Sequence, residues 1–171
     1  MSTLCNLGVA GAGGTLRNDS GLWVQAFSRH IGTTTTFLVE FRALRDGLNM
    51  CQNLQINVVE IELDAKIVVD LMNNSSNSND VNSAIVADCR LLISQVLQVK
   101  VSHCYRETNC HADGLAKLGN QQLDYDIMYY NSPPPPRASL PVRETFISLI
   151  CTVFTMLGFV LTLMFLFLFF S

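Results

Sequence analysis

The sequence predicts a mixed α/β fold in which helices flank a sheet. Two observations carry this prediction. Residues 8–32 have the pattern of a glycine-rich antiparallel hairpin, and the segments after it alternate between strand patterns and helical periodicity. The predicted order is β-β-α-β-α-β-α. The hairpin is antiparallel in this arrangement, and parallel crossovers join the later strands.

The hairpin is the first element, GVAGAGGTLRNDSGLWVQAFSRHIG. Residues 18–21 (NDSG) supply the turn, and every second residue from Leu22 to Ala26 is apolar. The glycines also resemble a phosphate-binding loop, but no Lys-Ser/Thr pair follows them and no helix opens there. Glycine within a strand is more typical of close backbone packing, which is the interpretation we favour.

A helix and a strand follow the hairpin. Threonines at 33–36 cap the helix FLVEFRALRDGLNMCQNL, and Glu40 lies in its first turn. Its apolar stripe comprises Leu38, Phe41, Leu44, Leu48 and Cys51. Residues 56–64 (INVVEIELD) form a strand that ends on Asp64.

The remaining elements of the domain alternate in the same way. A helix, AKIVVDLMNN, follows Asp64 directly, and the polar loop NNSSNSND separates it from a second helix, VNSAIVADCRLLISQ. Residues 96–104 form a strand, and residues 110–122 form the last helix. We therefore expect the domain to span residues 1–124.

The C-terminal part differs in composition. Residues 125–144 contain four consecutive prolines and are predicted to be a stiff linker. Residues 145–171 carry no charge over 27 positions, and residues 145–170 are predicted to form a transmembrane helix. Arg137 and Arg143 would then hold the domain on the cytosolic side of a membrane. Translated non-coding sequence would give a similar tail, and the domain would then be cytosolic or nuclear.

Charge and cysteine content argue against tight electrostatic binding of nucleic acid, a disulfide framework and a zinc site. Residues 1–131 hold nine Lys and Arg against thirteen Asp and Glu, so the domain carries a net charge of about −4. Such a surface cannot bind nucleic acid tightly through phosphate attraction alone. The six cysteines show no paired framework, so we expect reduced thiols. His103-Cys104 and Cys110-His111 match no common zinc spacing.

Three carboxylates stand at comparable places in the predicted elements. Glu40 is in the first turn of a helix, Asp64 ends a strand, and Asp113 is early in the last helix. Strand ends and helix starts of α/β sheets face the same crevice. Carboxylates brought together there repel one another unless a divalent cation neutralises them, and Mg²⁺ prefers such oxygen ligands. Each acid could also be a simple helix-start residue.

Five segments, in this order, resemble the type 1 ribonuclease H family. The resemblance is greatest to the domains of plant proteins related to retrotransposon reverse transcriptases. The segments are AGAGGTLRNDSGLW, VEFRALRDGL, EIELDAK, IVADCRLL and SHCYRETNCHADGLAKLG, within residues 8 to 120. The resemblance implies an RNA–DNA hybrid ribonuclease, a hydrolase that cuts the RNA strand with two Mg²⁺ ions.

The resemblance also implies roles for individual residues. Glu40, Asp64 and Asp113 match the metal-binding catalytic carboxylates, and His103 matches a histidine that assists product release or proton transfer. Asn109 matches a position near the substrate, and we expect Arg106 to contact nucleic acid as well. His111 has no expected role.

One feature of the family is absent. Its first strand carries a further metal-binding Asp in a Thr-Asp-Gly-Ala-like stretch before the hairpin, whereas this chain begins MSTLCNLGVAGAGG. Asp19 cannot replace it, because the hairpin turn lies at the other end of its strand. We therefore expect a truncated first strand and impaired hydrolysis. The alternatives are a catalytically inactive, membrane-tethered module for nucleic acid or protein, and a transposon remnant without function.

Overall fold

The computed structural model describes residues 8–74, 84–104, 110–134, 150–152 and 162–170. For residues 110–113, 150–152 and 162–170 it describes the backbone alone. The described strands are β1 (Gly8–Arg17), β2 (Trp23–Thr34), β3 (Val58–Leu63), β4 (Gln98–His103), β5 (Ile127–Tyr130), β6 (Ile150–Thr152) and β7 (Thr162–Phe170). The described helices are α1 (Thr36–Asn53), α2 (Lys66–Asn73), α3 (Ala84–Ser94) and α4 (Cys110–Asn120). The mixed α/β prediction is confirmed.

The described strands form one mixed sheet in the order β4-β3-β7-β1-β2-β5, with β6 paired to β1. The predicted hairpin is β1 and β2, paired antiparallel from Gly8 opposite Thr34 to Arg17 opposite Trp23. Its turn depends on Gly21, whose φ of 73° is strained for residues with a Cβ atom. Strands β3 and β4 pair in parallel, as expected for strands joined by helical crossovers.

Helices cover both faces of the hairpin strand β1. A Cβ atom at Gly11 would lie 2.2 Å from the carbonyl oxygen of Ala116, so only glycine lets α4 approach this closely. Ala10 and Ala12 are fully buried and belong to the core to which α1 contributes. The glycines of the hairpin therefore serve packing, as the sequence predicted.

The core lies mainly between the sheet and α1. In the predicted apolar stripe of α1, Leu38 is only half-buried, whereas the other four members are fully buried. In β3, Val59, Ile61 and Leu63 are buried, while the alternate residues Glu60 and Glu62 are half-buried. Helix α3 packs against α1, where the Cys89 thiol contacts the Phe41 carbonyl at 3.4 Å.

The C-terminal segment is described only in part, and the transmembrane prediction stays a prediction. A transmembrane helix was expected over 145–170, but Ile150–Thr152 and Thr162–Phe170 are strands, and the rest of that range lies outside the described residues. Strand β7 pairs antiparallel with β1 and parallel with β3, and both α1 and α4 contact it. A strand covered on both faces has the same uninterrupted apolar run as a membrane helix. In the part of the chain that the structure describes, no helix has the length and apolar character needed to span a membrane.

Strand β7 lies where the predicted truncation of the first strand would leave the sheet open. Its place between β1 and β3 means that these strands do not face an open gap. Strand β5 extends the sheet on the other side, within the range predicted as linker, and pairs antiparallel with β2. The sheet of this chain is therefore continuous from β4 to β5.

Candidate nucleic-acid site

The strand directions define one functional edge of the sheet. Strands β2, β3, β4 and β7 run in the same direction, so their carboxyl ends lie at one edge, where β1 begins. Helix α1 starts directly after β2, and α2 directly after β3. We call this edge, with the adjoining helix starts, the carboxyl edge. Ligands of α/β sheets commonly bind at such edges.

Glu40 lies in α1 close to this edge. The helix begins at Thr36, and the side chain of Thr35 caps it by accepting the Leu38 N–H at 3.4 Å. Glu40 is therefore the fifth helical residue, one position beyond the first turn. Its side chain is only 5% exposed, so stabilisation of an exposed carboxylate by the helix dipole does not account for its position. Burial of a carboxylate is costly and is typical of a functional group.

Asp64 follows the last residue of β3. The Cys104 N–H donates to the Leu63 carbonyl at 2.9 Å, so pairing of β3 with the β4 segment continues up to Asp64. Ala65 is the N-cap of α2, and no side-chain hydrogen bond caps that helix. The Asp64 side chain therefore does not cap α2, which was the alternative explanation for its position. Asp64 is half-buried at the carboxyl edge.

His103 lies beside Asp64. Its Nε2 is 3.0 Å from the Asp64 carbonyl oxygen, which can only accept, so Nε2 carries the proton in this contact. The His103 side chain is exposed, in contrast to the buried Glu40. Pairing of Leu63 with His103 in the sheet brings the two residues together. The structure thus places the predicted histidine next to one predicted carboxylate residue.

The other predicted site residues are described less fully. Asp113 is the fourth residue of α4, and its side chain lies outside the description. Asn109 and Arg106 lie outside the described residues altogether. For these three, the roles implied by the resemblance stay predictions.

Glu62, which was not predicted as a site residue, increases the negative charge near the carboxyl edge. It lies two residues before Asp64, and burial together with the nearby Glu60 raises the pKa of Glu62. Lys100 pairs with Glu60 rather than with Glu62. The alternation of acidic and apolar residues in EIELD is the signal that could have revealed this half-buried acid.

The thiol at this edge does not compete as a metal ligand. Burial raises the pKa of Cys104 to about 12, and the charges of Glu62 and Asp64 act in the same direction. Cys104 is therefore a protonated thiol at neutral pH. Among the side chains that the structure describes, no group of three His, Cys, Asp or Glu is positioned to hold a metal ion. Glu40 and Asp64 supply only oxygen donors, the chemistry that suits Mg²⁺.

Three comparisons relate this chain to known proteins. A family model described as "Reverse transcriptase-like" matches residues 2–119. The Arabidopsis thaliana protein named "Putative ribonuclease H protein" is 32% identical over 111 residues. That match covers 65% of this chain and 18% of the Arabidopsis protein, so the chain spans about a fifth of its relative's length.

Two solved structures share the fold. The N-terminal RNase H domain of a Mycobacterium tuberculosis protein, solved as a fusion with maltose-binding protein, has a TM-score of 0.60 and 24% identity. It matches 67% of this chain and 84% of the solved chain. RNase H1 of Halobacterium salinarum gives a TM-score of 0.56 and 24% identity, over 69% of this chain and 90% of the other. The chain belongs to the reverse transcriptase-like family and contains a ribonuclease H-like domain.

Proposed function

We propose that this domain binds RNA–DNA hybrids at the carboxyl edge and hydrolyses their RNA strand slowly with Mg²⁺. One observation supports the proposal most: His103 Nε2 lies 3.0 Å from the Asp64 carbonyl oxygen at the carboxyl edge, and α1, which carries the buried Glu40, begins at the same edge. The names of the Arabidopsis relative and of both solved structures point to the same substrate class.

The residues would divide the work as follows. The carboxylates of Glu40, Asp64 and Asp113 would hold Mg²⁺, which supplies an activated water and stabilises the negative charge of the phosphodiester when bound. His103 is exposed beside Asp64 and would carry a proton to or from the RNA strand. Asn109 and Arg106 would contact the hybrid next to this edge.

Two features support slow hydrolysis and weak binding. The strand between β3 and β1 is β7, and residues 162–170 (TLMFLFLFF) contain no Asp or Glu. A central strand without a carboxylate leaves fewer ligands for a pair of divalent ions, each of which needs several oxygen donors. The net negative charge of residues 1–131 also lowers affinity for a polyanion.

Replacement of Asp64 tests this proposal. The purified chain is expected to cut the RNA strand of a short hybrid in Mg²⁺ and to lose the activity on addition of EDTA. Asp64→Asn should reduce the rate at least about 100-fold, because a neutral amide is a weak cation ligand. Asp70→Asn is the matched control, since Asp70 is exposed on α2 and pairs with Lys66.

The readout is product length on a denaturing gel, with DNA duplex as the substrate that should not be cut. Equal cleavage by Asp64→Asn and the unaltered chain would contradict the role of Asp64. Failure of the unaltered chain to bind hybrid in a fluorescence anisotropy titration would contradict the proposal as a whole.

A second candidate function is hybrid binding without cleavage. The absence of any acid from β7 favours it, because the central strand then offers no ligand between β3 and β1. This candidate predicts the same hybrid affinity as the first but no Mg²⁺-dependent product, so the cleavage assay separates the two. Membrane attachment through residues 145–170 is a further proposal from the sequence, and membrane flotation of the full chain tests it.

A further inference from the structure

A concave surface lies between β2, α1 and the segment that precedes β5. It encloses about 240 Å³ and is lined by Arg29, His30, Ile31, Arg42, Arg45 and Tyr125. We call it the arginine pocket. Arg42 and Glu40 are two residues apart in α1, which places them about 200° apart around the helix axis. The arginine pocket is therefore distinct from the carboxylates of the carboxyl edge.

The arginine pocket concentrates positive charge in a domain that has little of it. Three of the nine Lys and Arg residues in 1–131 line this one surface. Arg29 is neutralised by the buried Asp46, whose carboxylate oxygens accept from Arg29 Nη1 at 3.0 and 3.1 Å. Arg45 makes only long contacts, 3.8 Å to Asp46 and 3.9 Å to the exposed Asp88. The charges of Arg42 and Arg45 are therefore compensated only in part.

Donor groups remain in the arginine pocket after its internal contacts are counted. Arg42 donates from Nη1 to the Ile31 carbonyl at 3.3 Å, whereas a guanidinium group carries five N–H donors. The buried Nδ1 of His30 has no hydrogen-bond partner among the residues that the structure describes. Tyr125 packs edge-on against the His30 ring, with centroids 5.1 Å apart.

We infer that the arginine pocket binds a phosphate group, with Arg42 and Arg45 as its ligands and the His30 ring in the pocket wall. Guanidinium groups match phosphate oxygens in geometry as well as charge, and this favours phosphate over other anions. The ligand that we infer is a backbone phosphate of a bound nucleic-acid strand. This choice of ligand rests on the proposed function. A free phosphate has the same chemistry, and the experiment separates these two sources.

Titration with inorganic phosphate tests the pocket without any nucleic acid. In NMR spectra of the full chain, the His30 ring resonances are expected to shift with millimolar phosphate and to stay unchanged with the same ionic strength of chloride. The double variant Arg42→Gln/Arg45→Gln should lose the shift, and Arg42→Lys/Arg45→Lys should retain most of it. Arg90→Gln is the matched control, because Arg90 donates to the Leu71 and Asn74 carbonyls outside the pocket.

Hybrid binding gives the second arm. The double Gln variant should weaken affinity about 10-fold and reduce the slope of log K against log salt by about 1 to 2, since two phosphate contacts are lost. Arg90→Gln should leave this slope unchanged. The titration with inorganic phosphate needs no cleavage, so failure of the pocket and failure of the cleavage proposal are distinguishable. A phosphate shift with unaltered hybrid affinity assigns the pocket to free phosphate. Absence of both effects, in variants with unaltered thermal melting, overturns the inference.

Discussion

A chain shortened to residues 1–149 is expected to lose its cooperative unfolding transition. The shortened chain lacks β7, which pairs with Val9–Gly14 of β1 and Glu60–Glu62 of β3. Its removal divides the sheet between β3 and β1 and leaves backbone groups of both strands without partners. Each such buried group costs about 1–3 kcal/mol. Several of them exceed the whole stability of a typical domain, about 5–15 kcal/mol.

A point substitution tests the same strand with less disturbance. Leu166 pairs with Gly13, and Leu166→Pro removes its backbone N–H and interrupts the strand, for an expected loss of about 3 kcal/mol or more. Leu166→Val keeps the backbone donor and favours strand geometry, so it serves as the matched control. Urea denaturation followed by circular dichroism measures both variants.

The result separates a sheet strand from a membrane segment. If residues 145–170 act only as an anchor, the shortened chain will unfold as cooperatively as the full chain and will no longer float with membranes. Retained cooperativity together with loss of membrane association would contradict the role of β7 in the sheet.

Asp46→Ala is expected to destabilise the domain by about 3 kcal/mol. Asp46 is 1% exposed and joins α1 to β2 through its two hydrogen bonds to Arg29. Removal of one partner of a buried ion pair leaves the other charge uncompensated, which typically costs about 3–5 kcal/mol. Because the Arg29 side chain is 25% exposed and keeps part of its hydration, the lower end of that range applies.

An exposed pair of the same chemistry provides the control. Asp70→Ala breaks the Lys66–Asp70 pair on α2, in which both side chains are more than half exposed, and should cost less than about 0.5 kcal/mol. The double variant Arg29→Met/Asp46→Leu should recover most of the loss, since it removes both charges together. Equal stability of Asp46→Ala and Asp70→Ala in urea denaturation would contradict the structural role of the Arg29–Asp46 pair.

Local patterns predicted the elements whose structure is decided locally. The NDSG turn follows from residues that tolerate or require positive φ, and Gly21 adopts that conformation. The helical spacing of apolar residues predicted the buried side of α1, with Leu38 at its margin. The pattern INVVEIELD likewise predicted a strand that ends at Asp64, and Asp64 directly follows β3.

Elements that depend on distant parts of the chain were not predictable in this way. Strand β5 has four residues, and its position depends on pairing with β2 and on the Ser28–Tyr130 hydroxyl contact at 2.9 Å. Strand β7 has the composition of a membrane helix, so its composition does not distinguish a buried strand from a membrane segment. The distinction comes from its pairing with β1 and β3, which lie far from it in the sequence. The arginine pocket joins Arg29 to Tyr125, which are close in space because Arg29 Nε donates to the Tyr125 carbonyl at 3.0 Å.

The proposal that Glu40 and Asp64 bind the same cation is tested most directly by a crystal structure of the full chain with a short RNA–DNA hybrid and Ca²⁺. Ca²⁺ takes oxygen ligands, as Mg²⁺ does. The expected result is a cation bound by carboxylate oxygens of both residues, with a phosphate of the RNA strand beside it and His103 nearby. A hybrid bound on another face of the sheet, or carboxylates of Glu40 and Asp64 that do not share a cation, would contradict this account.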